Sequence, residues 1–259
     1  MKHSYRALVT GALAVMLACP LFVTGQWNKK PYTEWSEKET LKLLNDSPWA
    51  QTQAVTDTSR QSSTTRSGSG STTAIADIIN VNFRVRFFSA KPTRQAIARF
   101  MELQQRGNLP EQTAAQLKGL AAADFPDYVI VTVTAESDKP SNMLQAANAA
   151  LYKLTTNELK NDTYLVVKDG RRLFLKEYQP PRKDGLGARF IFPRLVEGEP
   201  FISERSGEIL FHTDLSGGSV LDATTPNRDV SGRTAAQLGF TINTRYKVKD
   251  MIFDGKLEY

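Results

Sequence analysis

Cysteine and histidine are nearly absent from this chain, and their scarcity excludes more chemistry than anything present suggests. One cysteine, Cys19, and two histidines, His3 and His212, occur in 259 residues. A zinc or iron centre ordinarily draws two or more imidazoles or thiolates from the protein, so no metal site is expected, and no other cofactor. Cys19 falls inside an N-terminal leader, so the chain beyond it offers no thiolate nucleophile and no disulfide. Phosphate loops are missing too. Gly185-Leu186-Gly187 lacks a third glycine and is followed by Arg189-Phe190-Ile191-Phe192, which reads as a strand where a dinucleotide loop requires a helix N-terminus. Neither a Gly-x-Ser-x-Gly elbow nor an Asp-x-Asp-x-Asp-Gly calcium loop occurs.

Negative charge is absent before Glu34. Lys2 and Arg6 precede an apolar run from Ala7 to Ala18, the pattern of a secretory leader. The run is interrupted by Thr10, Gly11 and Pro20 and falls short of the roughly 20 residues that a membrane span needs. Val23-Thr24-Gly25 places small residues for cleavage after Gly25. The alternative is acylation of Cys19, and Met16-Leu17-Ala18 and the apolar Pro20-Leu21-Phe22-Val23 weigh against it. The expected location is the periplasm or the extracellular space, with membrane contact only if Cys19 is lipidated. Loss of Lys2 and Arg6 lowers the formal charge of +6 to about +4, too diffuse to demand a nucleic-acid partner.

Aromatic residues mark the first structured stretch beyond the leader. Ser36 followed by Glu39 forms a capping box, and Asn45-Asp46-Ser47-Pro48 stops the helix, because proline disfavours helical geometry at the residue before it. Leu41 and Leu44 supply an apolar stripe, which Trp35 and Trp49 extend at its ends. Trp35, Trp49, Leu41 and Leu44 are therefore the expected binding residues of a clasp that docks on the rest of the chain or on a partner. The organisation reads as a signal peptide (1–25), a tryptophan-flanked helical clasp (26–50), a Ser/Thr/Gly-rich linker (51–73) and an α+β domain (74–259).

Within that domain Val81, Phe83, Val85 and Phe87 alternate with Asn82, Arg84, Arg86 and Phe88, a half-buried strand. A helix follows over 93–106 with Ile97, Phe100, Met101 and Gln104 along one side, then a second opened by Pro110. Tyr128 to Ala135 is β-branched and nearly all apolar, the mark of a central strand. A third helix spans Ser141 to Leu154. The remainder reads as β: Thr163–Lys168 and Arg171–Tyr178 joined at Asp169-Gly170, then Ala188–Phe192, Ile209–Leu215, Phe240–Val248, and a last hairpin at Asp254-Gly255. The fold class expected is α+β, with a mainly antiparallel sheet and about three helices inserted in its N-terminal half.

Three candidate chemistries compete with simple structural roles. His212 and Asp214 share a strand face and would need a hydroxyl such as Ser206 or Ser216 to make a hydrolytic triad; otherwise they are solvated residues on an outer face. Glu197, Glu199, Glu204 and Glu208 could supply a carboxylate pair, or simply a solvated acidic loop. Arg84, Arg86, Phe88, Arg171, Arg172, Lys176, Arg182 and Lys183 could form a polyanion-binding surface, or charges that keep strands from mispairing.

Trp35-Ser36-Glu37 with Leu43-Leu44-Asn45-Asp46-Ser47-Pro48-Trp49-Ala50, Arg172–Tyr178 with Phe190–Arg194, and Lys249–Tyr259 together resemble a group of secreted bacterial proteins related to the GWxTD-domain-containing proteins. The Gly-Trp-x-Thr-Asp pentapeptide itself is absent here. The resemblance implies an envelope setting and brings no catalytic residues. These readings favour an exported, non-catalytic binding or structural protein, whose expected partner is another envelope protein, over a hydrolase or a polyanion-binding module.

Overall fold

Alternation of apolar and polar residues along one strand builds the two faces on which this fold rests. The computed structural model describes residue 27 and residues 29–57, 79–105, 108–216 and 239–259. Strand β2 (Ile79–Phe87) buries its odd-numbered side chains completely and sets Asn82, Arg84 and Arg86 on its other face. It lies between β1 (Ala50–Asp57) and β3 (Tyr128–Glu136). The sheet continues through β7 (Ala188–Pro193) to β6 (Glu177–Gln179), with every pairing antiparallel. β3 holds the centre, as its β-branched run predicts: Val129, Val131 and Val133 are buried towards one side, Ile130 and Thr132 towards the other.

A second antiparallel sheet covers the inward face, in the order β11 (Thr241–Lys247), β10 (Glu208–Asp214), β4 (Thr163–Val167) and β5 (Arg172–Phe174). Aromatic residues fill the space between. Phe87 meets Tyr246 with ring centroids 4.8 Å apart, Phe83 meets Phe240 at 5.3 Å and Phe190 meets Phe211 at 5.4 Å. Edge-to-face and tilted contacts of this kind add to the gain from burial. The Tyr246 hydroxyl donates to the Val85 carbonyl at 3.1 Å, so this buried phenol keeps an acceptor.

Hydrogen bonds tie the two sheets at their margins. Gln53 of β1 donates its side-chain amide to the Thr241 carbonyl at 2.8 Å and accepts from the Asn243 amide at 2.7 Å, imitating a strand backbone with a side chain. Elsewhere the chain itself crosses over. Arg171–Tyr178, read from sequence as one strand, is two: Leu175 donates its amide to Thr163 in the second sheet, and Lys176 donates to Ile191 in the first. Leu173, Leu175 and Tyr178 are all buried, and the three-residue step from Leu175 to Tyr178 marks the change of partner, because a single strand alternates every two residues.

Helices α1 (Glu37–Asn45), α2 (Lys91–Gln104) and α3 (Glu111–Ala122) cover the outward face of the five-stranded sheet. Helix α4 (Asn142–Lys153) is capped by Ser141, which accepts from the Leu144 amide at 3.0 Å. With the short α5 (Thr156–Leu159) it flanks β6, where Tyr178 donates its hydroxyl to Leu151 and its amide to Thr156. Two small hairpins complete the described residues: β8 (Leu195–Val196) with β9 (Glu199–Pro200), and β12 (Ile252–Phe253) with β13 (Lys256–Leu257). The second turns at Asp254 and Gly255, both at positive φ (50° and 75°), as an Asp-Gly hairpin requires. The fold is thus α+β with mainly antiparallel sheets.

One boundary differs from expectation. Residues 51–57, read as the start of the linker, form β1, paired along its length with β2. Its residues are small or polar because the strand lies at the edge of the sheet; backbone pairing and the Gln53 side chain define it, not an apolar face. Residues 58–73 of that linker and the whole leader, with Cys19 and Gly25, lie outside the described residues.

Candidate functional site

The clasp turns its tryptophans inward. Ser36 accepts from the Glu39 amide at 3.3 Å, and the Glu39 carboxylate accepts from the Ser36 amide at 2.8 Å, completing the capping box. Trp35 and Trp49 are both 1% exposed and belong to the main core. The Trp49 indole N–H donates to the Glu258 carbonyl at 2.9 Å, and its ring meets Phe253 edge-on at 6.0 Å. Trp35 packs between Trp27 and Tyr32. Leu44 is buried, but Leu41 is 36% exposed and the buried stripe runs through Thr40, Leu43 and Leu44 instead. The i, i+3, i+4 spacing from Thr40 fits the helix geometry better than a pairing of Leu41 with Leu44.

Hydrogen bonds from the Ser36 hydroxyl, then from Lys30 and the Ser36 amide, hold the Glu39 carboxyl down from its ordinary 4.5 to about 2. A lowered folded-state value means that the ionised carboxylate stabilises the fold fully above pH about 4.5, and that this contribution fades as pH falls towards 2. Glu39→Gln is therefore expected to cost a few tenths to about 1 kcal/mol at pH 7, the range for an exposed cap and ion pair. The difference from wild type should shrink in urea titrations run at successively lower pH. A gap that stays constant down to pH 2 contradicts the assignment.

His212 and Asp214 do not come together. The His212 ring stacks on Tyr164 with centroids 4.7 Å apart, and Nδ1 shares a 2.7 Å hydrogen bond with the Asn243 side chain. Asp214 turns to the Ser216 amide and hydroxyl, and the Ser206 hydroxyl accepts from the Ser203 amide. Both strand residues stand on the face of β10 that points away from the first sheet, opposite buried Phe211 and Thr213. Glu208 pairs with Arg245 at 2.7 Å. Among the described residues no group of three or more His, Cys, Asp or Glu could hold a metal ion.

The basic residues do not share one surface either. Arg84 and Arg86 lie on the outward face of the first sheet, beneath the helices, and Phe88 lies past the end of β2, buried against Phe125. Arg172 stands on the second sheet, its guanidinium over Tyr164, while Lys176 lies over Tyr128. Alternation continued one residue too far had placed Phe88 beside the arginines.

Above the outward sheet face the helices leave a cleft of about 450 Å³. The apolar side of α2 (Ile97, Phe100 and Met101) forms one wall with Leu117 of α3, and Leu44 of α1 contributes at the base. Arg86 lies on the sheet side. Its Nε donates to the Leu44 carbonyl at 2.7 Å, Nη2 to the Asn45 side-chain oxygen at 3.3 Å, and Nη1 to the Thr134 hydroxyl at 3.4 Å. All three acceptors are uncharged. Burial lowers the guanidinium pKa to about 10, opposed by the Glu136 carboxylate, so the group stays charged at neutral pH. Glu136, at the cleft rim, is itself engaged by Arg84 at 2.7 Å.

No known protein family, characterised protein or solved structure matches this chain.

Arg86, Thr132 and Arg189 are direct cross-strand neighbours on β2, β3 and β7, so all three project from the outward face. Arg189 pairs with Asp184 through Nη2, and its Nη1 is buried without a partner among the described residues. Asp184 also accepts from the Leu186 amide at 3.0 Å, which fixes the Gly185-Leu186 border of the cleft. Gly187 explains the glycine pair seen in the sequence. Its φ is +83°, and a Cβ there would stand 2.4 Å from the Val133 carbonyl oxygen, so only glycine lets this loop lie against β3. The row Ile97, Phe100, Met101, Gln104, which the sequence marks as one side of a helix, is the helical wall of the cleft. That Arg86 lies beneath that row depends on the β2–β3 register and on α1, neither of which a local pattern encodes.

Proposed function

We propose that this chain is an exported, non-catalytic binding protein of the cell envelope, and that it recognises small apolar molecules in the cleft between α2, α3 and the first sheet. The observation that carries the reading is the cleft itself. Its volume lies in the range typical of small-molecule sites, and it combines apolar walls with few polar groups. The leader-like N-terminus and the resemblance to secreted bacterial proteins support the envelope setting. The inward-facing tryptophans support a clasp that braces the domain and leaves recognition to another surface.

Titration with 1-N-phenylnaphthylamine, a neutral dye that brightens on leaving water, tests the site. Saturable binding is expected, weakened at least tenfold by Met101→Trp, which places an indole in the cleft, with an unchanged melting temperature. No saturable binding, or binding indifferent to that substitution, overturns the reading. Intact mass of the native protein tests the setting: a chain beginning at Gln26 is expected, acylated Cys19 would put the protein on a membrane, and a retained Met1 would argue against export.

A further inference from the structure

We infer that the cleft takes an amphipathic carboxylate, with its apolar body against α2 and α3 and its carboxylate on Arg86. The inference rests on the reading of the cleft as a recognition site and adds the chemistry of the head group. A guanidinium carries five N–H groups; three of those on Arg86 are committed to Leu44, Asn45 and Thr134, which leaves two. They belong to a cation that borders the cleft and whose bonded partners are all neutral. A cation shielded from water without a bonded counter-charge is costly, and a carboxylate brought to it forms charge-assisted hydrogen bonds.

The neighbouring charges agree with this sign. Glu136, the carboxylate at the rim, is occupied by Arg84. Arg189, two strands from Arg86 in the same cross-strand row, is neutralised by Asp184, and its Nη1 lacks a partner among the described residues. A neutral apolar ligand would leave the remaining Arg86 N–H groups without acceptors. An ammonium head would meet the Arg86 cation, while the carboxylate on the cleft lining, Glu136, is already held by Arg84. A phosphate dianion would lose more hydration than one shielded guanidinium restores. The anchor is also held in place: Arg86 is fixed to the last turn of α1, where carbonyl groups favour a cation, so little ordering is left for the ligand to impose.

Competition against the neutral dye, with dodecanoate, dodecanol and dodecyltrimethylammonium as probes, decides the matter. Dodecanoate is expected to displace the dye at least tenfold more strongly than dodecanol, the worth of one charge-assisted hydrogen bond, and the ammonium to be weakest. Arg86→Gln should bring dodecanoate and dodecanol to equal affinity. Glu136→Gln, at an exposed position, should tighten dodecanoate severalfold relative to dodecanol. Equal binding of carboxylate and alcohol, or a preference that survives Arg86→Gln in folded protein, overturns the inference while the apolar site stands. If Arg86→Gln does not fold, the wild-type comparison and Glu136→Gln decide. Dye binding that no probe displaces overturns the inference, and absence of dye binding removes the site itself.

Discussion

Trp49→Ala is expected to destabilise the protein by about 3–5 kcal/mol, the range for a large aromatic removed from a packed interior. Three losses coincide at this position. The ring is 1% exposed, so its whole apolar surface returns to water and leaves a cavity. Its edge-on contact with Phe253 disappears. The Glu258 carbonyl loses the indole donor, and the same residue uses its carboxylate to cap α2, accepting from the Lys91 amide at 2.9 Å where Ala90 supplies no side-chain cap. Domains of this size are stable by about 5–15 kcal/mol, so the variant should stand near the edge of folding. Trp49→Phe keeps most of the packing and loses the N–H, for an expected cost of about 1–2 kcal/mol. Urea unfolding of both variants provides the check. A loss under 1 kcal/mol for Trp49→Ala would mean that the clasp is an appendage and no part of the core.

Arg94→Met is the second large effect, and here two terms oppose each other. Arg94 is 2% exposed, and burial pushes its pKa down, so exchange for an apolar side chain relieves a desolvated charge. Against this, its guanidinium donates to the Ser89 and Ala123 carbonyls and, at 3.4 Å, to Phe88, while it lies over the Phe125 ring at 5.2 Å. Each carbonyl orphaned in a dry site costs about 1–3 kcal/mol. The orphaned acceptors outweigh the relief, and a net loss of about 3 kcal/mol is expected in urea unfolding. Arg94→Lys should rescue little of it, because a point-like ammonium cannot span carbonyls on both sides as the planar fork does. A neutral or stabilising outcome for Arg94→Met would show that desolvation dominates.

Local chemistry is what the sequence makes readable. The Ser36–Glu39 box, the Asp254-Gly255 turn and the β-branched run at Tyr128–Ala135 each report a preference satisfied within a few residues, and each has its place in the structure. What stayed hidden depends on partners distant in the chain. Strand β1 is an edge whose side chains carry almost no apolar signal, so it was read as tether. The strand over Arg171–Tyr178 changes sheets at Lys176-Glu177, where two consecutive exposed residues shift the alternation of Leu173 and Leu175 by one position before Tyr178. Arg86 read as half of a basic stripe and is a shielded cation beside an apolar cleft, because α1 and α2 fold over it. His212 illustrates the reverse: its strand face was legible, but the Tyr164 ring and the Asn243 side chain that occupy it come from other strands.

The bond from Gln53 to Thr241 and that from Trp49 to Glu258 span 188 and 209 residues. Loop closure over such separations is slow, and a ribosome delivers the chain from its N-terminal side. Trp49 therefore lacks its Phe253 and Glu258 contacts, and Gln53 its Thr241 acceptor, until residues 239–259 have emerged. Closure of the clasp is thus among the last steps of folding.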